Sequence, residues 1–156
     1  MEIDFHTILQ EKYDRIADAK EMVLSTCMNN QVTSRVVSIA CFENIIYFLS
    51  WGHHTKCIQI AQNPIVSFCY DNLQMNAMAV MHGDPRAESN AIMTEKYKSK
   101  QPRLFKHFAP LEGMIMVEAK ISYIKAWISK DTKFFIEHID IPKCKAYKLK
   151  PEDNEI

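Results

Sequence analysis

The stretch MVLSTCMNNQVTSRVVSIACFENIIYFLS, residues 22–50, decides the fold class of this chain. It contains three short runs rich in apolar and β-branched residues, a pattern typical of β-strands, separated by two polar breaks. The first break, Asn29-Asn30, suits a tight hairpin because asparagine tolerates positive φ. The second break covers residues 42–44. The pattern predicts an antiparallel meander with strands at 22–27, 32–41 and 45–50.

Outside this stretch the sequence predicts helices between further strands. Apolar residues recur near a 3.6-residue period over 3–20, and a short helix over 56–62 is followed by Asn63-Pro64. Asp84-Pro85 is typical of the cap and first turn of a helix over about 85–98. Residues 101–110 fit a helical turn or a loop. Further strands are predicted at 65–70, 75–82, 113–128 and 143–149.

These elements predict one mainly β (α+β) domain over residues 1–156, with six or seven antiparallel strands and flanking helices. The residues alone leave a barrel and a sandwich open. With 156 residues, of which 47% are hydrophobic, the chain can bury an ordinary core.

The charge and cysteine content narrow the function classes. Lys+Arg and Asp+Glu both number 19, so the basic excess expected of a nucleic-acid-binding protein is missing. No run approaches the roughly 18 apolar residues of a membrane span, and the N-terminal sequence does not resemble a secretory signal. Five cysteines, none in a CxxC pair, argue against a disulfide framework or a zinc site. We therefore expect a cytoplasmic protein with reduced thiols and no metal, nucleic-acid or membrane partner.

Lys56 is the first candidate site residue. It falls in the first turn of a predicted helix, where the partial positive charge of the helix end disfavours a cation. An anion bound there would contact both the ammonium and the backbone N–H groups. Ser50 and Thr55 flank the same loop and supply hydroxyl donors. The pattern suggests a phosphate pocket, and the alternative is a lysine at this position by chance.

Arg35 is the second candidate. It lies in a predicted strand among Val32, Val36, Val37 and Ile39, and its planar guanidinium suits bidentate contact with a phosphate. The alternative is an edge-strand arginine whose head group lies in solvent.

The ordered pieces of this region resemble a known family. An LST strand, a turn, R-V-V, then YFLS, a loop carrying T-K and a helix ending at N-P resemble the pyridoxamine 5′-phosphate oxidase-like, FMN-binding split-barrel proteins. The resemblance covers about residues 22–82. A weaker match covers 114–127, where ISYIKAW resembles the family's late strand ending in tryptophan.

The resemblance implies a split β-barrel that pairs into a homodimer and holds FMN between the two subunits. It also implies which residues contact the cofactor. In such proteins the phosphate is held by the residues that correspond to Arg35, Ser50, Thr55 and Lys56. The flavin ring would meet the main chain at Val36, Val37 and Ser38 and lie beside Phe48 and Leu49. Trp127 would reach the partner's flavin, and its alternative role is ordinary core packing.

The resemblance implies an FMN-dependent oxidoreductase with a small-molecule substrate or electron donor, and it assigns no catalytic side chain. In the true oxidase, basic residues beyond the late tryptophan hold pyridoxal phosphate. Here residues 128–143, ISKDTKFFIEHIDIPK, contain no arginine, so we do not expect vitamin B6 oxidation. One alternative is a flavin-binding or sensing module without turnover. Another is a haem or deazaflavin protein, for which His82 and His107 are candidate haem ligands. His53 and His54 are candidate cofactor contacts.

Overall fold

The structure is a computed structural model, and it describes residues 1–153. Its strands are β1 (Glu21–Met28), β2 (Gln31–Phe42), β3 (Ile45–Trp51), β4 (Ile65–Tyr70), β5 (Leu73–Gly83), β6 (Met114–Lys130), β7 (Lys133–Asp140) and β8 (Lys145–Leu149). Its α-helices are α1 (Phe5–Ile16), α2 (Thr55–Gln62), α3 (Ala91–Lys100) and α4 (Pro102–Phe108). Short 3₁₀ turns lie at Glu88–Asn90 and Pro151–Asp153.

The strands form one antiparallel sheet in the order β3-β2-β1-β4-β5-β6-β7-β8. An additional pairing of β3 with β6 closes the first six strands into a barrel, while β7 and β8 extend from β6 as a two-stranded wing. The predicted mainly β split barrel with flanking helices is confirmed.

Strand β6 makes this architecture possible because it is 17 residues long and pairs with three strands. Its residues 114–120 pair with β3, residues 116–126 with β5, and residues 123–130 with β7. Register shifts in the β5–β6 ladder let one strand serve the barrel at its start and the wing at its end.

The tight turn predicted at Asn29-Asn30 is confirmed. Both residues have positive φ, 50° and 63°, and they join β1 to β2 in the conformation that the twist of a hairpin favours. This connection fixes the register in which Leu24 faces Arg35 and Thr26 faces Thr33.

The core fills the barrel with side chains from the inward faces of its strands. Leu24, Ile39, Phe48, Phe68 and Met75 are each 0% exposed and belong to one continuous apolar cluster. Each follows the alternation of its strand, so the period-2 pattern in the sequence is the direct source of this core.

The outward face of β2, β1, β4 and β5 is unusually apolar. Val32 and Val36 on β2, Ile65 on β4 and Met78 on β5 have exposed fractions between 52% and 68%. Contiguous apolar surface of this kind usually marks an interaction site.

The helix predicted over about 85–98 begins later than expected. The Asp84 carboxylate accepts a hydrogen bond from the Arg86 N–H at 2.8 Å, which forms a local turn instead of capping a helix. Asn90 then donates to the carbonyls of His82 and Asp84, and α3 begins only at Ala91.

No strand was predicted at residues 133–140, where the structure has β7. Its buried residues include Glu137, whose carboxylate accepts a 2.8 Å hydrogen bond from the ammonium of the fully buried Lys12 of α1 and forms an ion pair with it. This buried charge pair interrupts the apolar alternation by which strands are detected. Within residues 101–110, for which a helical turn or a loop was predicted, the structure has the helix α4. No helix within residues 1–153 is long and apolar enough to cross a membrane.

Candidate functional site

A cleft lies between the strand ends of the barrel and the α3–α4 helices. Its strand wall, which the start of α2 completes, contains six of the ten residues predicted to contact the cofactor, namely Val36, Val37, Ser38, Leu49, Ser50 and Lys56. Trp51, His54 and Met114 complete this side, and Tyr97, Leu104 and Phe108 form the opposite wall. Arg35, Phe48, Thr55 and Trp127 do not line the cleft. Phe48 is fully buried in the barrel core.

Two cations lie near each other at this cleft, with Lys56 in its lining and Arg35 outside it. Partial burial lowers the pKa of the Lys56 ammonium, and the nearby Arg35 guanidinium lowers it further, whereas the Cys57 side chain acts in the opposite direction. Burial also lowers the pKa of Arg35. Within residues 1–153 no carboxylate forms an ion pair with either cation. The site therefore holds positive charge that is partly desolvated and not compensated by protein.

The Arg35 head group is held in place by hydrogen bonds. It donates to the Leu24 carbonyl at 3.2 Å and to the Thr26 hydroxyl at 2.8 Å, and it also donates to the Thr33 hydroxyl. The Arg35 side chain is half-buried and lies on the same face as Leu24, so its head group is hydrogen-bonded to protein and not simply surrounded by solvent.

Gln59 of α2 completes this network from the helix side. Its buried side-chain oxygen accepts hydrogen bonds from the hydroxyls of Thr26 and Thr33, the latter at 2.6 Å. Its amide nitrogen donates to the Gln31 carbonyl at 3.3 Å. Sequence reasoning missed these residues. The sequence signal that could have identified Gln59 was its position as a polar residue on the helix face otherwise formed by Cys57 and Ile60.

The start of α2 offers further donors. Thr55 and Lys56 are its first two residues, and no side chain caps this end. The Cys57 and Ile58 N–H groups donate to the His54 carbonyl, which leaves the N–H groups of Thr55 and Lys56 for a ligand. Ser50 is buried and its hydroxyl donates to the Trp51 carbonyl at 3.0 Å. The geometry therefore matches an anion site at a strand–loop–helix junction.

His54 lies beside this site, with its Nδ1 atom 3.5 Å from the Lys56 ammonium. Its pKa is lowered, first by partial burial and then by the charges of Lys56 and His53. The His54 ring also packs against Trp51, with centroids 5.2 Å apart. His54 is thus a neutral imidazole in the cleft wall at neutral pH.

The helical wall was not predicted from the sequence. Tyr97 is 2% exposed, and burial raises the pKa of its phenol to about 12. Leu104 and Phe108 lie one turn apart on α4, and the Phe108 ring meets Trp51 edge to face at 5.7 Å. The four-residue spacing of Leu104 and Phe108 was the sequence signal that could have identified this wall. The sequence pattern of residues 101–110 did not distinguish a helix from a loop.

The other candidate residues lie elsewhere. Trp127, on β6, is 45% exposed, and its carbonyl and N–H both pair with Asn72 at the β4–β5 turn. Ordinary core packing, the alternative role considered for Trp127, does not fit because nearly half of the residue is exposed to solvent. His82 contacts Glu118 at 3.1 Å, and His107 packs edge to face on Phe108. Within residues 1–153 no three His, Cys, Asp or Glu side chains cluster closely enough to hold a metal ion.

Comparison with known proteins supports the fold. No protein-family profile matches this chain, and no curated protein resembles its sequence. Solved structures do match. One is a protein from Clostridium acetobutylicum related to general stress protein 26 of the pyridoxinephosphate oxidase family, with a TM-score of 0.65 and 10% identity over 91% of this chain and 99% of that one.

Two further structures differ in the ligand that their names give. A FAD-binding protein from Mesorhizobium loti matches with a TM-score of 0.59 and 12% identity, over 73% of this chain and 90% of that one. The haem storage protein HutZ from Vibrio cholerae also has a TM-score of 0.59 and 12% identity, over 76% and 91%. The chain therefore has the split-barrel fold of the pyridoxine phosphate oxidase-like proteins, a fold on which flavin-binding and haem-binding proteins both occur.

Proposed function

We propose that this protein binds FMN and acts as an oxidoreductase on a small-molecule substrate other than a vitamin B6 phosphate. The observation that carries the proposal is a pair of partly desolvated, uncompensated cations beside an uncapped helix start, with Lys56 lining the cleft and Arg35 near it. A phosphate monoester would compensate both charges and accept from the free N–H groups.

The remaining residues of the strand wall suit the rest of a flavin. Val36, Val37 and Leu49 offer apolar surface, while Ser38 and the β2 main chain offer polar groups at its edge. FMN would supply the hydride or electron transfer chemistry, and the protein would hold and orient it. Arg35 is fixed for this task because Thr26, Thr33 and Leu24 leave its guanidinium little rotational freedom.

The proposal includes a homodimer. The cleft of one chain has a volume of about 190 Å³, below the roughly 300–1,000 Å³ of complete small-molecule pockets. The apolar outer face of β1, β2, β4 and β5 is the surface that a second copy would cover, in a two-fold arrangement that creates two identical sites. Trp127, which is exposed and outside its own cleft, is the residue we infer to reach the partner's flavin.

A haem-binding function is the second candidate. It is favoured by the likeness to HutZ and by His54, a neutral imidazole in the cleft wall, because the neutral form is the one that ligates iron. The same cations could pair with haem carboxylates. A flavin-binding module without turnover and a deazaflavin protein share the anion site and differ in what occupies it.

The test is reconstitution of the purified chain with FMN, deazaflavin cofactor and haem in parallel, each followed by absorbance and equilibrium dialysis. The proposal expects FMN to bind most tightly, at one per subunit. A Soret band with displacement of FMN would support the haem candidate, and tight FMN binding without reduction by any donor would support the module.

The five unpaired cysteines lead us to infer a cytoplasmic location.

A further inference from the structure

Helix α4 is weakly held compared with α2, the helix on the other side of the cleft. It has seven residues, none of them buried, whereas the eight-residue α2 buries Cys57, Gln59 and Ile60. No side chain of α4 forms an ion pair or a hydrogen bond within residues 1–153. Isolated helices of this length are marginal in water, so α4 depends on the side chains that it packs against.

Three apolar side chains hold α4 in place, and each of them is only partly buried. Phe108 meets the Trp51 ring edge to face, and Leu104 lines the cleft. Phe105 packs against the small buried cluster that contains Tyr97, and a lysine of α3 lies over its ring. Segments with few buried apolar contacts have the lowest opening free energies of a fold. We therefore expect α4 to detach before the elements beside it.

The chain is firmly fixed on both sides of α4. Before the helix, the Gln101 side-chain amide donates to the Lys20 carbonyl at 2.8 Å and to the Ile39 carbonyl at 2.9 Å. After it, the Gly52 N–H donates to the Gly113 carbonyl at 3.0 Å, and β6 begins at the next residue. A weakly held helix between two fixed points is the arrangement of a hinged lid.

The backbone at both fixed points suits a hinge. Gly113 has a φ of +83°, in the left-handed region that glycine adopts without strain. Gln101 lies outside the helical region, with φ −129° and ψ 55°, and separates α3 from α4. Hinges are a few residues at the ends of elements that absorb changes in φ and ψ, and these two residues have that position.

The hinge positions divide the helical wall of the cleft into a fixed and a movable part. Tyr97 of α3 is 2% exposed and remains with the barrel, whereas Leu104 and Phe108 belong to α4. With these two side chains in place the cleft has a volume of about 190 Å³, below the roughly 300–1,000 Å³ of ordinary ligand pockets. Movement of α4 away from the barrel would widen it.

We propose that α4 is a lid that turns about Gln101 and Gly113, opens to admit a ligand to the cleft and closes over it through Leu104 and Phe108. A ring bound on the strand wall would contact these two side chains only under the closed lid, so its binding favours closure. In the empty protein, the contact of Phe108 with Trp51 holds the lid. The assignment of FMN as the ligand rests on the proposed function, whereas the lid itself does not.

The first test is hydrogen exchange of the flavin-free and the FMN-loaded protein, followed by mass spectrometry. In the flavin-free protein we expect the amides of α4 to exchange at least about tenfold faster than those of α2, the control helix of similar length. Saturating FMN should slow exchange in α4 and leave α1, on the far side of the barrel core, unchanged. Equal protection of α4 and α2 without flavin would overturn the lid, whether or not FMN binds.

The second test is the rate of FMN association, measured by stopped-flow flavin fluorescence. Phe108→Ala removes the contact that holds the lid, so the open fraction rises and association should become about twofold to tenfold faster. Ile92→Ala, at a side chain of α3 that is 77% exposed, should leave the rate unchanged. If α4 were a fixed wall, Phe108→Ala would speed dissociation alone, and that result would overturn the proposal. If FMN does not bind, the proposed function fails, and hydrogen exchange of the flavin-free protein decides the lid.

Discussion

The ring of Phe108 meets the ring of Trp51 edge to face, with centroids 5.7 Å apart and planes at 90°. This contact joins α4 to the end of β3 across the candidate cleft, so the helical wall is attached to the barrel by an aromatic pair. Such pairs contribute about 0.5–1.5 kcal/mol beyond their buried area.

Replacing Phe108 with alanine should therefore loosen α4. We expect Phe108→Ala to lower the free energy of unfolding by about 1 kcal/mol or more and to speed trypsin cleavage near Arg103 and Lys106. Urea unfolding and limited proteolysis measure these effects. Phe134→Ala, at a ring that is 57% exposed on the β7–β8 wing, is the matched control. Equal proteolysis of the two variants would show that the Trp51 contact does not hold the helix.

The anion site predicts a specific loss of FMN binding. Removing an ionised partner from a charge-assisted hydrogen bond costs roughly 1.5–3 kcal/mol, so Lys56→Ala and Arg35→Ala should each weaken FMN about tenfold to a hundredfold while the fold survives. Flavin titration and circular dichroism provide the two measurements, with Lys145→Ala as a surface control. Unchanged affinity in both variants would reject the pocket.

Gln59 offers a sharper version of this test, because its side chain is buried against the network that holds Arg35. Gln59→Glu would place a carboxylate there and partly compensate the cation, so we expect FMN affinity to fall with little change in shape. Gln59→Met would instead leave the Thr26 and Thr33 hydroxyls without their acceptor and cost about 1–3 kcal/mol of stability. Titration and thermal unfolding of both variants separate the effects. An equal loss of FMN affinity in both would assign Gln59 a purely structural role.

Trp127 should report on the proposed dimer. If it reaches the partner's flavin, FMN binding quenches tryptophan fluorescence and Trp127→Phe removes much of that response. Trp51→Phe is the necessary comparison, because Trp51 lines the cleft of its own chain. Light scattering beside the titration is decisive: a monomer of 18.2 kDa that binds flavin tightly would exclude a shared site.

Alkaline stability should depend on Cys41. Burial raises the pKa of this thiol to about 12 from an ordinary value of 9.0, with the charge of Lys100 acting in the opposite direction. The unfolded chain therefore loses this proton at lower pH than the folded one, and stability falls as pH rises from about 9 to 12. Cys41→Ala should flatten this fall in chemical unfolding measured over that range, whereas Cys144→Ala, at an exposed thiol, should not. Parallel curves for the two variants would contradict the prediction.

Local patterns in the sequence predicted most of the barrel. The Asn29-Asn30 hairpin and the alternating strands of β1 to β5 are determined by residues close in the chain, and the period-2 pattern identifies their buried faces. The position of β7 did not follow, because the buried pair of Lys12 and Glu137 joins residues far apart in sequence. From the sequence alone, the two members of such a pair cannot be distinguished from charged residues at the surface.

The candidate site divides in the same way. The residues of the strand wall could be predicted from short motifs around Arg35 and Lys56 together with a family resemblance. The helical wall was not, because α4 has only seven residues and its apolar pair, Leu104 and Phe108, is too short a pattern to separate from a loop. Tyr97 joins the site only through the packing of α3 on the barrel.

The triple pairing of β6 also sets the order of events during synthesis. Until residues 114–126 have left the ribosome, β3 and β5 both lack a neighbour, so the nascent chain exposes two open sheet edges at once. A chain shortened before β6 could not protect either edge and would aggregate. The β7–β8 wing, in contrast, joins a barrel already closed, and only then does Glu137 of β7 become available to the buried ammonium of Lys12.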